Sequence, residues 1–97
     1  MRARMRAQVF ISRSDGGFVA VSVARQGLSS GAGRQYQTAE EARTVLEAFG
    51  FDPASIDRQL GFLSETPPGV LLKFPLAEIA ASVLTSQGFR AAAFTAA

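Results

Sequence analysis

Gln8-Val9-Phe10-Ile11-Ser12-Arg13 and Phe18-Val19-Ala20-Val21-Ser22-Val23-Ala24-Arg25 are two strand-like runs, separated by Ser14-Asp15-Gly16-Gly17. The loop length decides which side chains share a face, because a slip of one residue moves every side chain to the opposite side of the sheet. A two-residue Asp15-Gly16 turn sets Ile11 opposite Ala20 and Val9 opposite Ser22, which mixes aliphatic with small residues. A three-residue loop, with Gly17 in the left-handed conformation, sets Val9 opposite Val23 and Ile11 opposite Val21, with Val19 on the same side. The second register sorts one face into aliphatics and is the one expected. Gln8, Phe10, Ser12, Phe18, Ala20, Ser22 and Ala24 are left on the other face, which is neither fully polar nor fully apolar.

Beyond the hairpin, Gly27 to Gly33 reads as a flexible connection and Arg34 to Gln37 as a short strand. Thr38-Ala39-Glu40-Glu41 matches a capping box, and Ala42, Val45, Leu46 and Phe49 then follow at helical spacing up to Gly50. Asp52 as N-cap and Pro53 at the first turn open a second helix with Ile56, Leu60 and Leu63 inward, stopped by Thr66-Pro67-Pro68-Gly69. Val70 to Phe74 reads as a buried strand. A third helix is expected from Pro75, with Leu76, Ile79, Ala80, Val83 and Leu84 inward, closed by Gly88; a last strand is expected over Phe89 to Phe94. Thr38 to Phe51 aligns with Leu76 to Phe89 at a spacing of 38 residues, with seven of fourteen positions identical. Both copies end in Gly-Phe, the grammar of a helix stop in which glycine takes the left-handed cap. Shared descent and convergence both explain the repeat.

The 97 residues suit one domain over 1–97, with a basic arm at 1–6 and a fraying tail at 95–97. At 47% hydrophobic and 19% charged, the chain has the composition of a folded domain. Neither histidine nor cysteine is present, which removes thiolate and imidazole catalysis and the usual zinc, haem and iron–sulfur ligand sets. Asp15, Asp52 and Asp57 lack the spacing of a calcium loop, so neither a metal nor another cofactor is expected. No run is long enough to span a bilayer, and Ala7 to Ile11 is too short to serve as the apolar region of a signal peptide. Cytoplasm is the default compartment, since the cysteine count carries no redox information.

Charge is uneven along the chain. Six arginines face Asp15 alone in residues 1–36, a net +5, whereas residues 37–97 carry four basic against seven acidic side chains, a net −3. Scattered surface arginines account for this, and so does steering of an acidic partner or nucleic acid to the N-terminal end. The nucleic-acid footprint on that reading is Arg2, Arg4, Arg6, Arg13 and Arg34, although Arg4, Arg6 and Arg13 do not share strand parity. Gly27 to Gly33 with Arg34 lacks the Lys-Ser/Thr ending of a phosphate loop. Lys73 reads as an outward strand residue, and Glu40 and Glu41 as helix-start charges.

The hairpin surface carries the leading candidate. Phe10 and Phe18, with Arg13 and Arg25 near them in sequence, have the aromatic and arginine character of an interface hot spot. The reading favours cover of both phenylalanines within the monomer, by the third helix or the C-terminal segment, and next by a second copy.

Ser14-Asp15-Gly16-Gly17-Phe18-Val19-Ala20 followed by Thr38-Ala39-Glu40-Glu41-Ala42 resembles the N-terminal domain of HicB-type antitoxins, over roughly Val9 to Phe49. The family's Pro-Leu-Pro-Gly segment is replaced by Arg25 to Gly33, its Gly-Asp before the threonine is here Tyr36-Gln37, and no helix-turn-helix or ribbon tail is evident. The resemblance implies a degenerate ribonuclease-H-like module that binds and blocks a small toxin without catalysis. The expected fold is α+β: a hairpin extended by a third strand, then helix, helix, strand and helix, with the helices on one face of the sheet. The expected function is non-enzymatic docking to a protein partner, in the manner of an antitoxin or inhibitor; a nucleic-acid-binding regulator is the alternative.

Overall fold

A computed structural model of the chain describes residues 4–25 and 31–90. The element order is β1 (Arg4–Arg13), β2 (Val19–Arg25), β3 (Gly31–Tyr36), α1 (Ala39–Ala48), α2 (Pro53–Leu63), β4 (Leu72–Lys73), β5 (Ala77–Ala80) and α3 (Ala81–Ser86). The antiparallel sheet runs β3-β2-β1-β4, with β5 also on β1. This is the α+β arrangement expected, with the helices against one sheet face.

The hairpin takes the register that sorts its faces. Val9 lies opposite Val23, Ile11 opposite Val21 and Arg13 opposite Val19. Gly17 has φ +87°, and its amide donates to the Ser14 carbonyl at 3.0 Å, while Ser14 N–H donates to the Phe18 carbonyl at 2.9 Å. Ala7, Val9, Ile11, Val21 and Val23 are thereby removed from water almost completely. At about 25 cal/mol per Å² of apolar surface, this stripe and the helix faces that cover it supply the main favourable term in folding.

Helices α1 and α2 form from the caps read in the sequence. Glu41 N–H donates to Thr38 Oγ1 at 3.2 Å, and Ser55 N–H to Asp52 Oδ2 at 3.3 Å. Ala42, Val45, Leu46, Phe49, Ile56 and Leu63 are buried in one cluster with the sheet. Asp57 of α2 hydrogen-bonds the Arg43 guanidinium of α1, which is the main reason the pKa of Arg43 lies above its ordinary value. Both Gly-Phe stops form as expected. Gly50 and Gly88 have positive φ; Phe51 N–H reaches the Leu46 carbonyl and Phe89 N–H the Leu84 carbonyl, at 3.3 and 2.8 Å. Phe89 then packs edge-on against Phe49, ring centres 5.5 Å apart.

Four expectations need correction. Leu76 to Ala80 do not begin a helix: Ala77–Ala80 pair with Ala7–Arg4 of β1, and α3 starts only at Ala81. Leu76 offers no capping hydroxyl where the first repeat has Thr38, so the sheet ladder wins. Val70 to Phe74 is not a buried strand, since β4 is an edge that leaves Val70 and Leu71 43% and 56% exposed. Residues 4–6, expected in a basic arm, are the start of β1 because β5 gives them backbone partners. Met1-Arg2-Ala3, Gln26 to Ser30 and the segment from Ala91 lie outside the described residues, and so do the frayed tail and most of the expected last strand, of which the described Phe89 and Arg90 are not in a strand. β3 starts at Gly31, three residues before the expected Arg34.

β4 and β5 are one edge broken by an extra residue. Three steps along β1, from Phe10 to Ala7, match four along the edge, from Lys73 to Ala77. Pro75 and Leu76 therefore both oppose Gln8, a bulge at the one residue that has no N–H to offer. Gln8 Nε2 donates to the Phe74 carbonyl at 2.6 Å beside the bulge.

Gly50 and Gly88 hold equivalent helix-stop positions with different surroundings. A Cβ at Gly50 meets nothing within 4 Å, whereas one at Gly88 falls on the Arg34 guanidinium. Gly50→Ala is expected to cost about 1–2 kcal/mol, the left-handed penalty alone. Gly88→Ala should cost the same penalty to within about 0.5 kcal/mol in urea unfolding, because the group it meets is the far end of the exposed Arg34 side chain, which can swing aside. Any small excess should vanish in an Arg34→Ala background.

Candidate functional site

The sheet face away from the helices is set by strand alternation. β1 contributes Arg4, Arg6, Gln8, Phe10 and Ser12; β2 contributes Ala20, Ser22 and Ala24; β3 contributes Gly31, Gly33 and Gln35. Lys73 lies opposite Phe10, and Glu78 opposite Arg6. Among the described residues no helix or loop covers this face, so the expected cover within the monomer is not found there. Phe10 is half-buried against its strand neighbours and Phe18, at the hairpin end, is 39% exposed. The reason is topological: the third helix joins the aliphatic side, where Leu84 is buried.

The Phe10 rung runs through Ser22 to Gly33. Two glycines and small side chains leave a shallow recess of about 280 Å³ beside the phenyl ring, lined by Phe10, Ser22, Ala24, Gly31 and Gly33. A Cβ on Gly31 would run into the Val23 carbonyl, so β3 approaches β2 there only as glycine. The centre of the face carries no formal charge. Its rim does, with Arg4, Arg6 and Lys73 against Glu78.

The arginines singled out from the sequence are divided among different surroundings. Arg13 points to the helix side, where its Nη2 donates to the Thr66 carbonyl just beyond α2 while its Nε is buried with no hydrogen-bond partner. Arg34 also lies on the helix side. Its Nη1 donates to the Gln87 carbonyl at 3.3 Å, at the end of α3 where the helix dipole favours a cation, and its guanidinium carbon is 5.8 Å from the Tyr36 ring centre. Arg2 lies outside the described residues. Arg4 and Arg6 stay on the outer face; Arg25, paired opposite Ala7, belongs to the helix side, and its end of β2 borders, with Arg4, Met5 and Arg6, a recess of about 310 Å³ at the far end of the hairpin from its turn. Of the docking residues, Phe10 and Phe18 share the outer face, while Arg13 and Arg25 do not sit beside them.

Two features escaped the sequence reading. Lys73 stands across from Phe10 only because β4 pairs with β1, a contact with no local signal. Arg25, which the register sets opposite Ala7 and so on the helix side, borders the same recess as Arg4 and Arg6 because β2 ends where β1 begins. No protein-family model matches the chain, and neither a curated protein nor a solved structure matches it.

Tyr36 supplies a probe of the helix side. Its hydroxyl is buried without a hydrogen-bond partner among the described residues. Burial raises the phenol above its ordinary value, Arg34 opposes the rise and Glu41 adds to it. The unfolded chain therefore loses this proton first. Stability from the neutral phenol is complete below pH 10 and declines as pH climbs toward the folded value. Tyr36→Phe is expected to match or exceed the wild type by up to about 1 kcal/mol at neutral pH, since it deletes an unsatisfied group. Urea midpoints of the two proteins should then separate further above pH 10.

Proposed function

We propose that this protein is a non-catalytic binding module that docks a protein partner on the helix-free face of its sheet, as an inhibitor- or antitoxin-like regulator. The observation that carries the reading is the placement of half-buried Phe10 and exposed Phe18 on one face with an uncharged centre of small residues. Water is displaced from such a face with little desolvation penalty, because Ser12, Ala20, Ser22, Ala24, Gly31 and Gly33 bring almost no charge to bury. The flat backbone allows close approach, and the recess beside Phe10 takes an apolar side chain. Arg4, Arg6 and Lys73 on the rim favour a partner with acidic groups around an apolar centre, which speeds encounter and fixes orientation. The HicB-like hairpin and capped helix support the same class of partner, a small toxin.

The test is capture of a partner by tagged protein, identification of the bound species, and titration of the purified pair by calorimetry. Phe10→Ser and Phe18→Ser, each confirmed folded by circular dichroism, are expected to weaken the affinity at least tenfold, as loss of a buried aromatic anchor does. Undiminished affinity in both variants would end the docking-face reading.

A further inference from the structure

We infer that, when no other protein occupies it, the helix-free face of the sheet is covered by the same face of a second copy, in a weak two-fold dimer that masks the docking surface. The inference rests on the docking-face reading and adds a regulation to it, since the protein partner then competes with self-association. Cover by a second copy is the next expectation once cover within the monomer is not found among the described residues.

The face is complementary to itself about one line. Leu72, Ile11, Val21 and Arg34 form a single rung across four strands. A two-fold axis along this rung, lying between two sheets packed face to face about 10 Å apart, reverses the order of residues along every strand. It sets Phe18, just ahead of β2, over Ala24 of the other copy, at the recess that Ala24, Gly31 and Gly33 leave open. On β1 it sets Phe10 over Ser12, a residue small enough to receive the ring. At the β4 edge it sets Lys73 over the exposed Leu71, whereas an axis along the Phe10 rung would press Lys73 against its own copy. Both phenylalanines thus meet small residues.

Charge supports the same axis. Asp15 is the one acidic side chain of residues 1–36 and stands in the hairpin loop. Arg6 lies to the other side of the Ile11 rung, about 17 Å away along β1. The axis therefore brings Arg6 of each copy toward Asp15 of the other. Both residues are exposed, and among the described residues neither forms an ion pair within the chain. An exposed pair contributes little, but two occur per dimer and they fix the strand direction.

Area sets the strength. Strand spacing and the rise from Phe18 to Ala24 give a face of about 19 by 23 Å, roughly 450 Å² per copy. The total, about 900 Å², falls below the ~1,200 Å² of stable interfaces and belongs to the transient class. A dissociation constant of about 10–100 μM is expected, which a partner of nanomolar affinity overcomes.

The experiment is sedimentation equilibrium of the full chain alone, from about 5 to about 500 μM. The weight-average mass should rise from that of one copy toward that of two. Phe18→Ser, confirmed folded by circular dichroism, should weaken association at least tenfold. Arg6→Glu and Asp15→Arg should each weaken it about fivefold, because each sets like charges together at two places. Mixed one to one, these two variants should associate to within about twofold of the wild type, since in the mixed dimer the reversed charges face each other and the native ones do too. A mass that stays at one copy at the highest concentration overturns the proposal and leaves the docking-face reading standing. A mass that climbs past two copies also overturns it, because a closed two-fold stops there. It is equally overturned if folded Phe18→Ser associates like the wild type, or if the mixture associates no better than either variant alone. Full affinity of Phe10→Ser and Phe18→Ser for a captured partner, with the dimer lost as stated, sinks the docking-face reading and leaves the dimer.

Discussion

Everything in this fold hangs on the antiparallel ladder between β1 and β2, and that ladder hangs on the loop that starts it. With Gly17 left-handed, the aliphatic residues of both strands fall on one side, and a shift by one would expose Val9, Ile11, Val21 and Val23 together. Correct alternation is therefore worth the whole burial of that stripe, many times the energy of any single hydrogen bond in the hairpin. β1 then serves as the spine, since β2, β4 and β5 all pair with it. The helix layer is secondary in this sense: α1 and α2 have a surface to cover only because the register has made one.

Local grammar and long-range pairing competed in the two halves of the 38-residue repeat, and the outcomes differ. Ala39-Glu40-Glu41-Ala42 and Ala77-Glu78-Ile79-Ala80 share three residues in four, yet the first is a helix start and the second a strand. Thr38 caps the one and accepts the Glu41 amide; Leu76 can cap nothing, and the open edge of β1 offers backbone partners instead. Ile79 fits a strand facing the core as well as it fits a helix face, so periodicity alone could not separate the two. The helix stops were legible because they depend on glycine and the next phenylalanine, both local. The β5 ladder was not legible because it joins residues seventy or more apart.

The candidate sites follow the same division. The phenylalanines sort to the outer face by strand parity, which a reader of the sequence obtains once the loop length is settled. Their exposure depends on where the third helix packs, which parity does not give. For the arginines, sequence proximity misled: Arg13 is next to the hairpin turn but is drawn inward by an unsatisfied carbonyl beyond α2, and Arg34 is held at the end of α3. Arg34 meets the C-terminus of α3, whose carbonyls lack intrahelical donors and carry the negative end of the dipole, whereas the Thr66 carbonyl that Arg13 meets lies in the turn after α2. Arg6 keeps its charge on the surface opposite Glu78, while Arg4 borders a recess whose wall includes the end of α1 at Ala48, Phe49 and Gly50.

The two edges of the sheet are less suited to binding than its face. On one border, Pro75 and the bulge opposite Gln8 interrupt the ladder, the ordinary means by which an edge is kept from pairing with another chain. On the other, β3 brings Gly31 and Gly33, which weaken a strand as a template because they offer no side chains to pack against an added neighbour. Phe10, by contrast, lies on β1 between two paired neighbours, with its backbone fixed on both sides. A side chain so mounted loses little further freedom when a partner covers it, so more of the area it buries is returned as affinity. The glycines that make β3 a poor edge are the same residues that open the recess beside Phe10, and one choice of sequence thus discourages strand addition while it shapes the face for docking.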